Sequence, residues 1–244
     1  MQRKFLRLFF ISFLFLFPVF SYAFKMSPMV IYFAPSGSKS TQVLTLENPD
    51  SEKIPVQIEV FTRGVDAKGE EVRVKSSDFN VYPEQVVLLP NEKRNVRVTW
   101  AGEFKGDDEK SYRIVVSQIP VEFKEQNAKS KKPGVSLNFL LQYVASAYVT
   151  PGNAAAKVRV KETKVLGPKK VLVTLVNEGT AHKVIHTKKL KLVSGNKIVM
   201  EIADPKEFEG LNLLAKTEKT VTLTLSKEIP QGVKAELEFA ELGD

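Results

Sequence analysis

Val135 to Thr150 reads VSLNFLLQYVASAYVT, and this stretch decides how the rest of the chain is understood. It is a long strand-like run with an apolar row at Val135, Leu137, Phe139 and Leu141, polar Ser136 and Asn138 between them, and a basic, Pro/Gly-containing loop, KEQNAKSKKPG (124–134), in front. Side chains two apart share one face of a strand, so the row forms a continuous apolar ridge. An edge strand with such a face is an aggregation liability; it must be buried at home, as in an ordinary sandwich core, or lent to a partner.

Outward from this run the chain alternates apolar, β-branched segments with turn formers and shows little helical periodicity. Strands are expected at 29–33, 42–47, 56–62, 71–74, 85–89, 95–100, 112–118 and 135–149, with turns at Ser36-Gly37-Ser38, Asn48-Pro49-Asp50, Lys68-Gly69, Pro90-Asn91 and Gly106-Asp107-Asp108. That many strands in so short a span suggests an immunoglobulin-like sandwich over 24–150. Pro151-Gly152-Asn153 then breaks the long strand, and a second series (158–165, 170–177, 185–193, 197–201, 219–225, 233–239) predicts a smaller β-sandwich over 151–244. A linker of a few residues predicts a fixed bend with a cleft between the two. The fold class is therefore all-β, two immunoglobulin-like sandwiches in a boomerang-like arrangement.

Residues 1–23 carry Arg3, Lys4 and Arg7, an apolar run from Leu8 to Phe20, and small residues at Ser21 and Ala23. That order predicts a signal peptide cleaved after Ala23, with an apolar run too short to be a membrane span, so export without membrane insertion is expected. There are no cysteines, hence no disulfide and no lipid attachment through a cysteine. The formal charge of +8 includes the three basic residues of the leader, which has no acidic ones, leaving +5 for the remainder. With no arginine-rich run or aromatic nucleic-acid motif, nucleic-acid binding is not expected.

Chemistry-bearing clusters are sparse. His182 and His186 are four apart, which in a strand is about 13 Å, too far to share an ion. No nucleophile elbow or paired-carboxylate motif is present, so neither catalysis, a metal nor a cofactor is expected. Asp107-Asp108-Glu109 lacks an alternating oxygen-ligand loop and reads as a solvated turn, and Trp100 as a packing residue at the sandwich end.

Several consecutive pieces resemble the PapD-like periplasmic pilus-assembly chaperones. They are VLTLENPDSEKIPVQIEVF (43–61), FNVYPEQVVLLPNEKRNVRV (79–98) with a turn like the family's Leu-x-Pro-Gly-Glu, SYRIVVSQIP (111–120), the long strand after it, and VLVTLVNEGTAHKVI (171–185) in the second half. The resemblance implies a periplasmic chaperone that holds an incomplete pilus or fimbrial subunit by donating the strand Val135–Val149, with Leu137, Phe139 and Leu141 in groove pockets and Val135 at the rim. Burying four such side chains would contribute about 6–12 kcal/mol before ordering and association costs. Whether an outer-membrane usher receives the subunit stays open. The family anchors the subunit's terminal carboxylate with an Arg and a Lys; the matching positions here are Val30 and Ser146, neither ionisable. Lys25, Arg113 and Lys157 are the neighbours that could take the role. The alternative is a secreted immunoglobulin-like binding, adhesin or envelope module whose ridge stays buried at home.

Overall fold

The computed structural model describes residues 24–66, 68–120 and 140–240, and these build an all-β, bent, two-lobed molecule. The first lobe contains β1 (Lys25–Ser27), β2 (Val30–Phe33), β3 (Thr41–Glu47), β4 (Ile54–Val65), β5 (Glu71–Lys75), β6 (Phe79–Tyr82), β7 (Gln85–Leu88), β8 (Lys93–Trp100), β9 (Lys110–Gln118) and β10 (Gln142–Val149). One sheet runs β1-β3-β8-β6 and the other β2-β10-β9-β4-β5, with β7 also on β4. Alternation dictates which face is buried. Leu44 and Leu46 on β3, Val96 and Val98 on β8, and Ile114 and Val116 on β9 point between the sheets and are essentially solvent-free. Phe79 closes one end of this core, edge-to-face against Phe33, Trp100 and Tyr112.

The second lobe contains β11 (Val158–Gly167), β12 (Lys170–Asn177), β13 (Lys183–Val184), β14 (Thr187–Ser194), β15 (Lys197–Ala203), β16 (Asn212–Leu213), β17 (Glu218–Thr224) and β18 (Lys234–Phe239). Sheets β11-β12-β17 and β15-β14-β18 and the short pair β13-β16 enclose a separate core of Val171, Val173, Leu175, Leu190, Leu192, Phe208 and Leu223.

Each lobe is tied by one fully buried asparagine. Asn48 follows β3, and its Nδ2 donates to the carbonyls of Glu52 (2.7 Å), Leu88 (3.3 Å) and Leu89 (3.0 Å) while its Oδ1 accepts from Asp50 N. Asn177 ends β12 and does the same for Ala181 (2.8 Å), Leu213 and Leu214 (both 3.2 Å), accepting from Lys157 N and Gly179 N. A loop that crosses a sandwich end must have its buried carbonyls paired, and one amide serves three of them. Gly179 has its own requirement: a Cβ there would lie 2.3 Å from Ala155 O and Lys157 N. In the Pro90-Asn91 turn, Asn91 adopts φ 56°, a left-handed conformation that asparagine tolerates where the resembling family has glycine.

Most of the main strands fall where alternation predicts them. Of the expected strand 135–149, the described residues are strand only over Gln142–Val149, with Leu140 and Leu141 before it. The structure adds an extension of β4 and the short strands β1, β6, β13 and β16. β4 runs on to Val65, carrying Arg63 beyond the expected end, and β1 and β6 are three- and four-residue strands beside the Ser27-Pro28 and Tyr82-Pro83 bonds. Trp100 packs inside the first lobe, 5% exposed.

Replacing Asn48 or Asn177 by Ala takes the side-chain donor from three buried or part-buried carbonyls. Each substitution is expected to lower the stability of its own lobe by about 3 kcal/mol in urea denaturation. A loss below about 0.5 kcal/mol would show that water reaches those carbonyls instead.

Candidate functional site

The face of the β2-β10-β9-β4-β5 sheet that is not core looks toward the second lobe. In-register pairing across it sets one row: Val30 on β2, Ser146 on β10, Arg113 on β9, Phe61 on β4 and Lys75 on β5. Val30 and Ser146, the two positions matched to the family's anchors, are direct neighbours in parallel strands. No cation occupies either. Arg113, one strand over, donates from Nη1 to Ser146 Oγ at 2.6 Å, which brings a guanidinium to the anchor position from the adjacent strand. Lys25 lies on β1 in the other sheet, opposite Glu47, and Lys157 pairs with Glu178 in the second lobe at 3.9 Å. Neither belongs to the row.

Arg113 is part of a cluster. Glu71 on β5 accepts from Arg113 Nε (3.0 Å) and Nη2 (2.5 Å), Arg63 Nε (2.7 Å) and Arg73 Nε (2.6 Å). Partial burial pushes the Glu71 carboxyl up, but the hydrogen bonds from Arg113 and Arg73 and the charges of Arg113 and Arg63 outweigh it and hold the pKa at about 2. The Arg63 and Arg113 side chains are only 11% and 16% exposed. Arg63 Nη1 also donates to Tyr148 Oη (3.0 Å), which accepts in addition from Asn212 Nδ2 (2.7 Å) of the second lobe. Beside this convergence is a cavity of about 260 Å3, walled by Arg63, Glu71 and Val65 from one lobe and Asn212, Thr217 and Lys219 from the other.

The lobes meet through Glu109. Its side chain is 1% exposed, and its carboxylate accepts from His182 N (3.0 Å), His182 Nδ1 (2.6 Å) and Thr150 Oγ1 (2.7 Å), while Glu109 N donates to Thr180 O. A carboxylate can only accept, so His182 carries its proton on Nδ1. The His182 ring stacks on Tyr148 at 3.7 Å, and Tyr148 stacks on Tyr32. The expectation of a solvated Asp107-Asp108-Glu109 turn is thus corrected for Glu109, because the second lobe folds over it. His186 bonds to Glu209 instead, so the two histidines serve different carboxylates. Among the described residues no group of three His, Asp or Glu is placed to hold a metal.

Of the ridge, Val135, Leu137 and Phe139 lie outside the described residues. Leu141 is half buried against the first core, and Tyr143, Ala145, Ala147 and Val149 continue on that same face. Leu140, on the other face, is 56% exposed. Arg63, Glu71, Tyr148 and Asn212 were not singled out by sequence, and Glu109 was read only as part of a solvated turn. Arg113 was singled out, and a basic residue inside the apolar run YRIVV is the kind of signal that finds such a position.

Burial pushes the Glu109 carboxyl up, but hydrogen bonds from His182 and Thr150 win and hold it below its ordinary 4.5. Its stabilising contribution is therefore complete above that value and is lost as pH falls through the lower folded-state value. Acid titration of stability should show this loss below about pH 4.5, and Glu109→Gln should flatten that part of the curve and loosen the two lobes in small-angle scattering. An unchanged acid limb in the variant would contradict the assignment.

Residues 25–144 match the family model described as the pili and flagellar-assembly chaperone PapD N-terminal domain. Among solved structures, the Class 5 fimbriae chaperone CfaA is 13% identical with a TM-score of 0.55, over 90% of this chain and 100% of that one. A chain of the CsuC-CsuE chaperone-tip adhesion subunit complex from Acinetobacter baumannii is 18% identical, TM-score 0.53, over 84% and 92%. A chain of the Salmonella enterica SafA pilin–SafB chaperone complex is 17% identical, TM-score 0.54, over 83% and 85%. At these identities the likeness is one of fold. No curated protein sequence matches the chain. By its N-terminal domain, and by a fold shared along most of its length with fimbrial chaperones, the chain belongs to the PapD-like family of pilus-assembly chaperones.

Proposed function

We propose that the protein is a periplasmic chaperone that holds an incomplete fimbrial or pilus subunit by donating the strand that begins at Val135, and releases it for assembly. Family membership supports the chaperone role, and the family is characteristically periplasmic. The parity of β10 carries the strand-donation reading. Odd-numbered residues from Leu141 to Val149 fill the first core. The apolar row Val135, Leu137 and Phe139 has the same parity, so a strand continued backwards from Leu141 offers those side chains on a face continuous with that core. A subunit groove lacking one strand would extend the same sandwich, its backbone pairing supplied by the donated strand and its pockets filled by the row.

In this reading residues 1–23 are the cleaved leader, 24–150 the subunit-holding domain and 151–244 the second sandwich. The pinned junction at Glu109 keeps the cleft between them at a fixed opening. Arg113 stands in for the missing cationic anchors, since its guanidinium sits on Ser146. Lys25 lies on the other sheet, and Lys157 pairs with Glu178 in the second lobe.

Phe139→Asp is the deciding variant. A charge placed in a partner's apolar groove costs several kcal/mol, about enough to abolish co-purification of a small β-rich subunit from the exported fraction. The variant's own melting temperature should change little. If Phe139→Asp instead unfolds the protein and no such subunit co-purifies with the unaltered chain, the row is home core and the strand-donation reading fails.

A further inference from the structure

The net charge of the chain lies mainly in the second lobe. Of the +5 outside the leader, residues 151–244 carry +4, from 16 Lys and Arg against 12 Asp and Glu, and residues 24–150 carry +1. Strand pairing gathers much of this excess at one end of the lobe. β11 and β12 join through Gly167, Pro168 and Lys169; Lys164 pairs with Leu172, and Lys170 pairs with Thr224 of β17. Val171, Val173 and Leu175 fill the core, so Lys170 and Leu172 point out of the sheet, and Lys164, across from Leu172, shares their face. The loop after β17 closes on the same turn, with Leu225 N donating to Lys169 O and Ile229 N to Pro168 O, both at 2.8 Å, which brings Lys227 beside it. Lys234 opens β18 next to Ala235, whose N–H is held by Thr163 Oγ1, and carries the basic end around the edge of the sandwich. Other lysines of the lobe are paired, Lys161 with Glu218, Lys188 with Glu238 and Lys189 with Glu201. Among the described residues no carboxylate lies within ion-pair distance of the five at this end, all of them exposed. The acids nearest in sequence, Glu162 and Glu228, leave lysine in excess. A second observation is apolar: Leu166, between Lys164 and the turn, is 45% exposed, and Pro168 and Pro230 are exposed beside it.

We propose that this end of the second lobe docks the protein on the surface of an anionic phospholipid bilayer, its lysines among the headgroups and Leu166 at the acyl boundary. The choice of cation favours a lipid layer. An ammonium on a flexible stem is a point charge suited to a diffuse sheet of phosphates, whereas one fixed anion is better met by a guanidinium fork. The only arginine of residues 151–244, Arg159, is at the opposite end of β11 and is held by Glu178. An acidic protein would satisfy the lysines but gives the exposed leucine and prolines among them no apolar layer to enter; a bilayer offers both. Geometry leaves the rest of the molecule free. β11 runs ten residues from Val158, beside the junction, to Gly167, about 30 Å. A molecule held by the far end keeps its cleft and β10 clear of the surface. The inference goes beyond the chaperone reading and does not depend on it. Within that reading, the lobe that does not donate a strand keeps the other near the surface where an exported subunit emerges.

The test is co-sedimentation of the exported chain with vesicles of phosphatidylcholine containing about one-third phosphatidylglycerol, against vesicles of phosphatidylcholine alone. Binding should require phosphatidylglycerol and weaken more than tenfold between about 50 mM and about 500 mM salt. Lys169→Gln with Lys170→Gln should weaken it about twentyfold, and Leu166→Ser about fivefold, with melting temperatures unchanged because all three side chains are exposed. Lys188→Gln with Lys189→Gln removes the same charge from paired positions and should leave binding within twofold. Three results would overturn the proposal: no sedimentation with phosphatidylglycerol vesicles at low salt, equal sedimentation with phosphatidylcholine alone, or equal losses in the two lysine pairs, which would mean attraction by net charge with no site. Capture of an acidic envelope protein by the tip lysines, with no vesicle binding, would likewise replace the lipid by a protein partner. None of these readouts needs a subunit. Phe139→Asp should keep vesicle binding while losing the subunit, and Lys169→Gln with Lys170→Gln should do the reverse, so the failure of either reading is distinguishable from that of the other.

Discussion

A carboxylate removed from water must be fully bonded or it costs more than the fold can supply, and Glu109 meets that constraint only where the two lobes touch. Thr150 belongs to the junction and His182 to the second lobe, so neither half alone can satisfy the group. The rest of the cleft is laid out from this point. His182, held by Glu109, places its ring on Tyr148; Tyr148 then receives Arg63 from one wall and Asn212 from the other. A chain of contacts thus runs from a buried acid to the guanidinium cluster, and the opening between the lobes is fixed by hydrogen bonds, with few apolar contacts needed.

The same sheet serves two incompatible surroundings by alternation alone. On β9, Tyr112, Ile114 and Val116 fill the sandwich while Arg113, between Tyr112 and Ile114, faces the cleft. On β10, Ala145 and Ala147 pack inward while Ser146 and Tyr148 face outward. A slip of one residue in either strand would bury a guanidinium and expose the core, so register is strongly specified here. That is also why the pairing of Val30 with Ser146 is informative: two positions more than a hundred residues apart come together because the apolar residues beside them have no other acceptable placement.

Much of the all-β architecture was legible because alternation over seven or more residues has few other physical solutions, as in β3, β8 and β12. The short strands β1 and β6 were not, since three or four residues beside a proline carry too little pattern, and the two-residue pair β13-β16 exists only because distant segments are brought together. At the site the difference is sharper. Arg113 was named only as one of three neighbours of the resembling family's anchor positions, and the structure brings it alone of the three onto Ser146. Glu71 was not named, because an acid among basic residues on an exposed strand looks like an ordinary solvated surface. Glu109 read as part of a polar turn, and its burial depends on His182, 73 residues on. Charges acquire roles from what folds over them, and local sequence holds no record of that.

Asn48 and Asn177 raise a question of chemical lifetime. Asparagine ages when the backbone nitrogen of the next residue attacks its side-chain amide, closes a ring and leaves aspartate or a rearranged linkage behind. After Asn48 that nitrogen belongs to Pro49, which has no N–H to lose. After Asn177 it belongs to Glu178, whose N–H is engaged by Lys157 O at 2.8 Å, and the amide itself is held on both sides. Conversion of either to a negatively charged carboxylate would set a buried anion against three carbonyl oxygens. Both positions are instead kept from the reaction by their neighbours, so the amides that tie the two lobes are protected from slow chemical decay as well as from unfolding.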